Sequence, residues 1–296
     1  MTFTEIIQHL ANGLVSGAVI ALPALGLTLM FSVLGSINFS VAGQMTVGAY
    51  AAWLANVWLH WTLIPILVVA FLAAGAAGVV GDRVALEPVR RRVSAHSALM
   101  VAIVSIALNL ALESLLRFVF GSSLRSFDLP IARDFLIGDV RVGPQQLDNL
   151  GLALLIAVVL AIFFAIARAG KAMRAVADNA DLARLKGISP RRLSTLATFM
   201  GMGLAGIGGT LLAVDTSVDP SMGGRLILII FAASVLGGLS SLPGAVLGAL
   251  LIGVFGDVAL LLVPPVYQSA IAFAAILLVL LLRPTGLFAG ALGFRR

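Results

Sequence analysis

Carboxylates at bilayer depth are the residues of this chain that could act on a solute or a proton. Glu113, Asp215, Asp219 and Asp257 all lie within or beside long apolar runs, where a charged group is costly and therefore a candidate for function. Glu113 is the best placed, because Asn109 precedes it by one helical turn. We predict that Asn109 and Glu113 form a polar patch that lines a path through the membrane or bridges to a partner subunit; the alternative is a carboxylate that water reaches near the outer interface. Asp215 and Asp219 are expected to cap an outer turn.

The remaining polar residues form no catalytic or metal-binding pattern. The three histidines are isolated, there is no cysteine, and no Gly-x-Ser-x-Gly sequence occurs. Gly170-Lys171 lacks the upstream glycine and the following Ser or Thr of a phosphate-binding loop. We therefore predict that the chain is not an enzyme and binds no cofactor, and that any ATP is used by another subunit.

Composition places these residues in a membrane protein. Hydrophobic residues make up 60% of the chain and charged residues 11%, with a mean hydropathy of +1.11, which leaves too little polar surface for a water-soluble globule. The prediction is an all-α integral membrane protein with a single domain at 1–296 and about eight to nine transmembrane helices. Gly13 and Gly17, and a glycine-dense face from Gly201 to Gly209, predict close helix contacts.

The cations predict the orientation. The net charge is +6, and 14 of the 19 Lys and Arg residues fall in the clusters Arg83–Arg92, Arg168–Arg192 and Arg283–Arg296. This is the positive-inside distribution and not a nucleic-acid surface. The loop at 121–149 is then periplasmic, and we favour an external N-terminus. The loop's charges nearly cancel, as suits a surface that meets another protein: Arg125, Arg133 and Arg141 against Asp128, Asp134 and Asp139.

One polar segment, at about 169–192, interrupts the apolar second half of the chain. Lys171–Lys186 predicts a single helix that Gly187 ends, with Ser189 and Pro190 starting the next one. The helix suits a groove on another protein, although an ordinary cytoplasmic loop held near the membrane by its cations would share this composition. Its apolar side carries Met173, Val176, Ala177 and Ala180, and its charged side carries Arg174, Asp178, Asp181 and Arg184.

This segment resembles the coupling loop of the permease subunits of branched-chain amino acid ABC importers. The similarity continues through 204–212 and through 235–244, and it extends over essentially the whole chain. Asn38-Phe39 is similar to the start of the family's N-terminal motif, with Gln44 shortly after. The residues that carry the likeness in the loop are Gly170, Ala172, Arg174, Ala175, Ala177, Ala183, Leu185, Gly187 and Ile188.

The resemblance implies a translocation subunit that pairs with a second, related permease. It also implies two cytoplasmic ATPases, a periplasmic binding protein and a branched-chain or related apolar amino acid as cargo. In such a transporter the coupling helix docks into the ATPase and moves with it. The ATPase contacts expected by resemblance are Gly170, Ala172, Met173, Arg174, Ala177, Asp178, Leu185 and Gly187, and the expected path residues are Asn38, Phe39, Gln44, Asn109 and Glu113.

Three departures from the family pattern leave other readings open. Val41-Ala42-Gly43 replaces the expected His-Gly-Glu, Ile229 replaces a Lys, and Glu113-Ser114 stands where Gln-Asn is usual. Urea, a short amide or a sugar therefore remains an alternative cargo. The alternative from another class is a self-sufficient channel or ion-coupled carrier, for which Glu113 and Asp257 are the candidate ion sites.

Overall fold

The computed structural model describes residues 3–92, 97–129, 135–137 and 140–261, with scattered positions between 264 and 288. A π-helical turn at Asp82–Leu86 follows Gly81 and leads directly into Glu87, and a short antiparallel hairpin pairs Phe135 with Val142. The elements in chain order are α1 (Phe3–Leu34), α2 (Val41–Leu59), α3 (Leu63–Gly81), α4 (Glu87–Arg92), α5 (Ser97–Phe120), β1 (Phe135–Ile137), β2 (Val140–Val142), α6 (Pro144–Ile166), α7 (Arg168–Asp178), α8 (Ala180–Leu185), α9 (Pro190–Asp215), α10 (Met222–Gly237) and α11 (Leu242–Ala259).

The predicted all-α polytopic membrane fold is confirmed. In the described ranges, six helices are long and apolar enough to cross a membrane: α1, α3 with its extension, α5, α6, α9 and α11. The apolar helix α10 is shorter, and the more polar α2 packs among the others with most of its residues buried. The last span expected from the sequence, at 266–282, and the tail after it lie largely outside the described residues.

The centre of the bundle is a set of close backbone contacts between α1, α9 and α11. In both α1 and α9, 78% of the 18-residue apolar stretch is buried. A Cβ atom added to Gly201 of α9 would lie 2.7 Å from the backbone oxygen of Gly26 in α1. A Cβ on Gly17 of α1 would lie 2.9 Å from the backbone oxygen of Ala249 in α11. The glycines therefore let these helices pack backbone to backbone, as their spacing predicted.

The two described cation clusters lie at one end of the bundle. Arg191, at the start of α9, forms an ion pair with Glu87 of α4, so the segments around 83–92 and 168–192 meet there. Arg125, in the loop after α5, pairs through its backbone with Val218, which follows α9. This separation of ends agrees with the positive-inside assignment.

Replacing Gly201 by Ala should destabilise the protein, because the added methyl group meets the backbone of α1 and overpacking costs about 1–3 kcal/mol. Gly151→Ala is the matched control, since a Cβ there meets nothing within 4 Å and both changes gain the same helix propensity. We expect thermal unfolding of the detergent-purified protein to give a clearly lower Tm for Gly201→Ala than for Gly151→Ala. Equal Tm values would contradict the proposed contact.

Candidate functional site

The polar segment outside the membrane forms two helices instead of the predicted one. Asn179 has an extended backbone (φ −158°, ψ 105°) and separates α7 from α8. Its Oδ1 accepts hydrogen bonds from the backbone N–H groups of Asp181 and Leu182, at 3.1 and 2.9 Å. The prediction of one continuous helix over Lys171–Lys186 was therefore wrong. The physical reason is that an asparagine side chain competes with the helical backbone and caps a new helix.

Gly187 ends α8, as the sequence predicted. Its φ is +78°, its N–H donates to the carbonyl of Arg184 at 2.9 Å, and the N–H of Ile188 donates to that of Ala183 at 3.0 Å. These two bonds form a Schellman motif, which satisfies the last carbonyls of a helix. Ser189 and Pro190 then start α9, although the Ser189 side chain makes no capping bond. We call the segment from α7 to the first turn of α9 the coupling corner.

One side of α7 faces its own chain. Met173 and Val176 are buried, and Met173 packs in a cluster with Leu29, Phe164 and Leu242 of the membrane helices. The expectation that the side carrying Met173 and Val176 lies open to another protein is thus contradicted. An apolar stripe beside an apolar bundle is buried more readily against that bundle than left for a partner.

Gly170 is what allows α7 to turn so tightly under α6. A Cβ at this buried residue would lie 2.7 Å from the Cα atom of Phe164, so a larger residue would push the two helices apart. The other expected coupling residues differ in exposure: Ala172, Arg174 and Ala177 are partly buried, and Asp178, Leu185 and Gly187 are exposed.

The apolar surface that the corner does expose lies on α8. Leu182 is 55% exposed and Leu185 84% exposed, next to the Asp181–Arg184 ion pair at 3.2 Å. Leu185 was expected from resemblance, whereas Leu182 was missed because α8 had been assigned to a longer helix with a different face. Large apolar side chains beside charged ones, outside a membrane span, are typical of a protein-binding surface.

The break between α1 and α2 lies inside the bundle. The Asn38 Oδ1 atom accepts hydrogen bonds from the Ser40 backbone N–H at 3.0 Å and from its hydroxyl at 2.7 Å. The backbone N–H of Phe39 donates to the Ser105 Oγ atom of α5 at 2.9 Å. The Phe39 ring packs against Phe231 of α10 with 5.5 Å between centroids. This turn therefore joins α2, α5 and α10.

Several amide atoms beside this turn have no hydrogen-bond partner among the described residues. They are Nδ2 of Asn38, Oε1 and Nε2 of Gln44, and Oδ1 of Asn109, and all are buried. Asn109 lies close to α2, since a Cβ on Gly43 would lie 3.0 Å from its Oδ1 atom. A buried unpaired polar atom costs about 1–3 kcal/mol, so four of them close to one turn make this turn a candidate polar site. We call Asn38, Gln44 and Asn109 the amide cluster.

A polar stripe on α5 leads away from the amide cluster. Ser105, Asn109, Glu113 and Arg117 follow one another at a spacing of four residues, on one slowly turning face. Exposure increases along it: Ser105 and Asn109 are buried, whereas the side chains of Glu113 and Arg117 are 20% and 52% exposed and form an ion pair at 2.8 Å. The stripe ends near the loop that follows α5. Asn109 and Glu113 thus share one face, as predicted.

Arg125, expected as a surface charge for partner binding, mainly holds the outer loop in place. Its backbone N–H and carbonyl both bond to Val218, and its guanidinium stacks over Trp53 at 5.3 Å and donates to the Phe120 carbonyl. Asp128 is exposed, while its backbone N–H donates to the Asn56 side chain. Arg133, Asp134 and Asp139 lie outside the described residues, as do the surroundings of the Arg141 side chain.

The other acidic candidates lie at the end of α9, just before α10 and on α11. Asp219 caps the turn before α10 by accepting from the Ser221 backbone at 2.9 Å, as expected. Burial alone would raise the pKa of Asp219, but hydrogen bonds from Arg225 and Ser221 together hold that pKa below its usual value. Asp215 and Asp257 line a cavity of about 240 Å³ between α1, α6, α9 and α11. Glu113 is not among the residues that line this cavity, so the two candidate ion sites, Glu113 and Asp257, do not share it.

These features define a multi-pass membrane protein with a buried polar cluster between its helices and a helical corner outside the membrane. The family described as branched-chain amino acid transport system, permease component, matches residues 9–280. The chain is 30% identical over 303 residues to the high-affinity branched-chain amino acid transport system permease protein BraD of Pseudomonas aeruginosa, covering 95% of each chain.

A second relative, the permease protein LivH of the same transport system in Escherichia coli K12, is 30% identical over 305 residues and covers 96% of each chain. Among solved structures, PsaBC from Streptococcus pneumoniae in complex with Fab is similar, with a TM-score of 0.49, 15% identity and coverage of 94% and 93%. The chain belongs to the family of branched-chain amino acid transport permease components. The recognition made from the coupling loop is confirmed.

The loss of stability on substituting Gly187 should depend on how poorly each replacement residue adopts the left-handed backbone conformation. A Cβ there meets no atom within 4 Å, so conformation and not space decides the effect. We expect Gly187→Asn to be mild, Gly187→Ala to cost about 1 kcal/mol, and Gly187→Val to cost more. Thermal unfolding of the purified protein gives the order, and Ala or Val variants as stable as the Asn variant would show that the Schellman turn is not needed.

Proposed function

We propose that this chain forms the translocation path of an ATP-driven importer for branched-chain amino acids in the bacterial inner membrane. The observation that carries the proposal is the family match over residues 9–280. A second permease chain, two cytoplasmic ATPases and a periplasmic binding protein complete the transporter in this proposal. The chain itself catalyses no covalent step and binds no cofactor, and its ATPase partners hydrolyse ATP.

The coupling corner supports a docking role for its exposed half. Leu182 and Leu185 offer an apolar contact surface of the kind that fills a partner's groove, while α7 is fixed to the bundle through Met173. A force applied to α8 is therefore transmitted through the Schellman turn at Gly187 into α9. Because α9 packs backbone to backbone with α1, that force reaches the centre of the bundle.

The amide cluster and the polar stripe support the path. Their carboxamides can donate to and accept from a solute without imposing a net charge, and the Glu113–Arg117 pair offers opposite charges close to the outer end. During import the corner moves with the ATPases, and the bundle opens the cluster alternately to the two sides of the membrane. Phe39 and Phe231, which close the turn on one side, would then act as an apolar barrier.

Reconstitution tests the proposal directly. Vesicles that contain this chain, its permease partner and the ATPases, with the binding protein outside, should accumulate radiolabelled leucine only when ATP is inside. Unlabelled isoleucine and valine should compete, whereas urea, acetamide and ribose should not. ATP-independent leucine uptake by this chain alone would instead favour a self-sufficient carrier, and competition by urea or ribose would change the cargo.

Leu185→Asp should release the ATPases from the purified complex. Docking would bury the new carboxylate without a partner, at a cost of several kcal/mol. Leu124→Asp is the control: Leu124 is 70% exposed, but it lies in the loop after α5, at the opposite end of the bundle. We expect only Leu185→Asp to lose the ATPases on affinity purification. Retention of both ATPases by this variant would exclude α8 as the docking surface.

Gln44→Met should abolish uptake without lowering stability. Removing a buried amide that has no partner relieves a desolvation penalty, so the Tm should stay equal or rise, whereas a solute that bonds to Gln44 would lose its contact. Thr198→Val is the control, because its hydroxyl is also buried and unpaired but lies on α9. Wild-type uptake by Gln44→Met would remove Gln44 from the path, and a large drop in Tm would give it a structural role.

A further inference from the structure

Glu87, the first residue of α4, accepts a hydrogen bond from Arg91 of the same helix and forms an ion pair with Arg191 of α9. Its Oε1 atom lies 2.6 Å from the guanidinium of Arg91 in the same helix and 3.1 Å from Nε of Arg191. Arg191 is the second residue of α9 and follows the Gly187 turn closely. The Glu87–Arg191 pair therefore connects the coupling corner to α4.

Ion pairs flank α4, which continues α3 through the π-helical turn. None of its residues is buried. Asp82, in the π-helical turn before α4, binds Arg90 through both carboxylate oxygens at 2.7 Å. Segments of π-helix are rare and often occur at functional sites. Both α4 and the π-helical turn contact α5, the helix that carries the polar stripe. A continuous series of contacts thus runs from α9 through Glu87 and α4 to α5.

We propose that Glu87 and Arg191 are positioning residues that transmit the movement of the coupling corner to α5. The inference rests on the proposed function, because it requires ATPases that move the corner. When α9 shifts, Arg191 carries Glu87 and α4 with it, and α4 carries α5. The polar stripe on α5 then shifts relative to Asn38 and Gln44 of the amide cluster whenever the ATPases move. This route is separate from the packing of α9 on α1.

Because the Glu87–Arg191 pair is exposed, a role in coupling can be distinguished from a role in folding stability. The Arg191 side chain is 70% exposed and that of Glu87 19% exposed, so the pair adds little to folding stability. An exposed ion pair of this kind changes an equilibrium constant by up to about fivefold. Its loss should therefore lower the efficiency of coupling while the Tm and the assembly of the complex stay at the wild-type level.

The first test uses Glu87→Gln and Arg191→Gln in the reconstituted transporter. We expect each to import about three- to fivefold fewer amino acids per ATP hydrolysed than the wild type. Arg91→Gln and Arg192→Gln are the controls. The bond from Arg91 to Glu87 stays within α4, and Arg192 makes no ion pair with the described residues. Both control variants should therefore import as many amino acids per ATP hydrolysed as the wild type. A wild-type ratio for Glu87→Gln and Arg191→Gln would overturn the inference.

A rescue experiment makes the test more specific, because the chain contains no natural cysteine. The double variant Glu87→Cys, Arg191→Cys should lose coupling like the Gln variants. Joining the two thiols with a short bismaleimide should restore it, since a covalent link replaces the ion pair. A cross-linked protein that stays uncoupled would contradict the idea that α9 and α4 move together.

A third measurement does not depend on the cargo. Ser114 lies on the exposed side of α5, and the maleimide labelling rate of Ser114→Cys should change when a non-hydrolysable ATP analogue closes the ATPases. That response should be lost in Glu87→Gln and kept in Arg192→Gln. If leucine uptake fails but this response is present and depends on Glu87, the proposed cargo is wrong and the inference stands. An equal response with and without Glu87 contradicts the inference.

Discussion

The structure depends on the close approach of α1 to α9 and α11. A membrane gives helices little hydrophobic reason to associate, so association comes from van der Waals contact and from backbone atoms that approach closely. Gly26 and Gly201 allow that approach at the centre, and Gly17 allows it between α1 and α11. Side chains larger than hydrogen would hold these backbones apart, and the polar groups near them would lose their enclosure.

That enclosure explains how the interior tolerates unpaired amides. Asn38 lies in the turn before α2 and Gln44 in the first turn of α2. Tightly packed helices surround both residues. In water such groups would be solvated, and in a fully packed core they would be replaced by apolar residues of the same shape. In our proposal this packed frame around an unsatisfied cluster serves as the solute path, where local stability is given up for recognition.

Much of this fold follows from the sequence. Hydropathy, the three cation clusters and the glycine spacing predicted the helical bundle and its close contacts, because these depend on composition along the chain. Gly187 and Pro190 predicted the turn between α8 and α9 for the same local reason. The Asn179 break was missed, since good helix formers on both sides concealed a side chain that caps the next helix.

Tertiary contacts account for the other differences. The burial of Met173 depends on Leu29, Phe164 and Leu242, and nothing in the spacing of α7 indicates whether an apolar side meets its own bundle or a partner. The amide cluster was predicted in part, through Asn38, Gln44 and Asn109. That their amide atoms are unpaired could not be predicted, because it depends on the positions of all neighbouring donors and acceptors.

Burial separates the described helices into an enclosed centre and a periphery. The apolar windows of α1 and α9 are 78% buried, whereas that of α5 is 22% buried, and α4 has no buried residue. Regions with few buried contacts are those that shift at the lowest free-energy cost. A transporter needs a helix that can move relative to a fixed frame, and in our proposal that helix is α5, with its polar stripe against α2. The exposed Glu87–Arg191 pair beside α5 suits this role, because a weak ion pair can transmit movement without fixing the helix in one state.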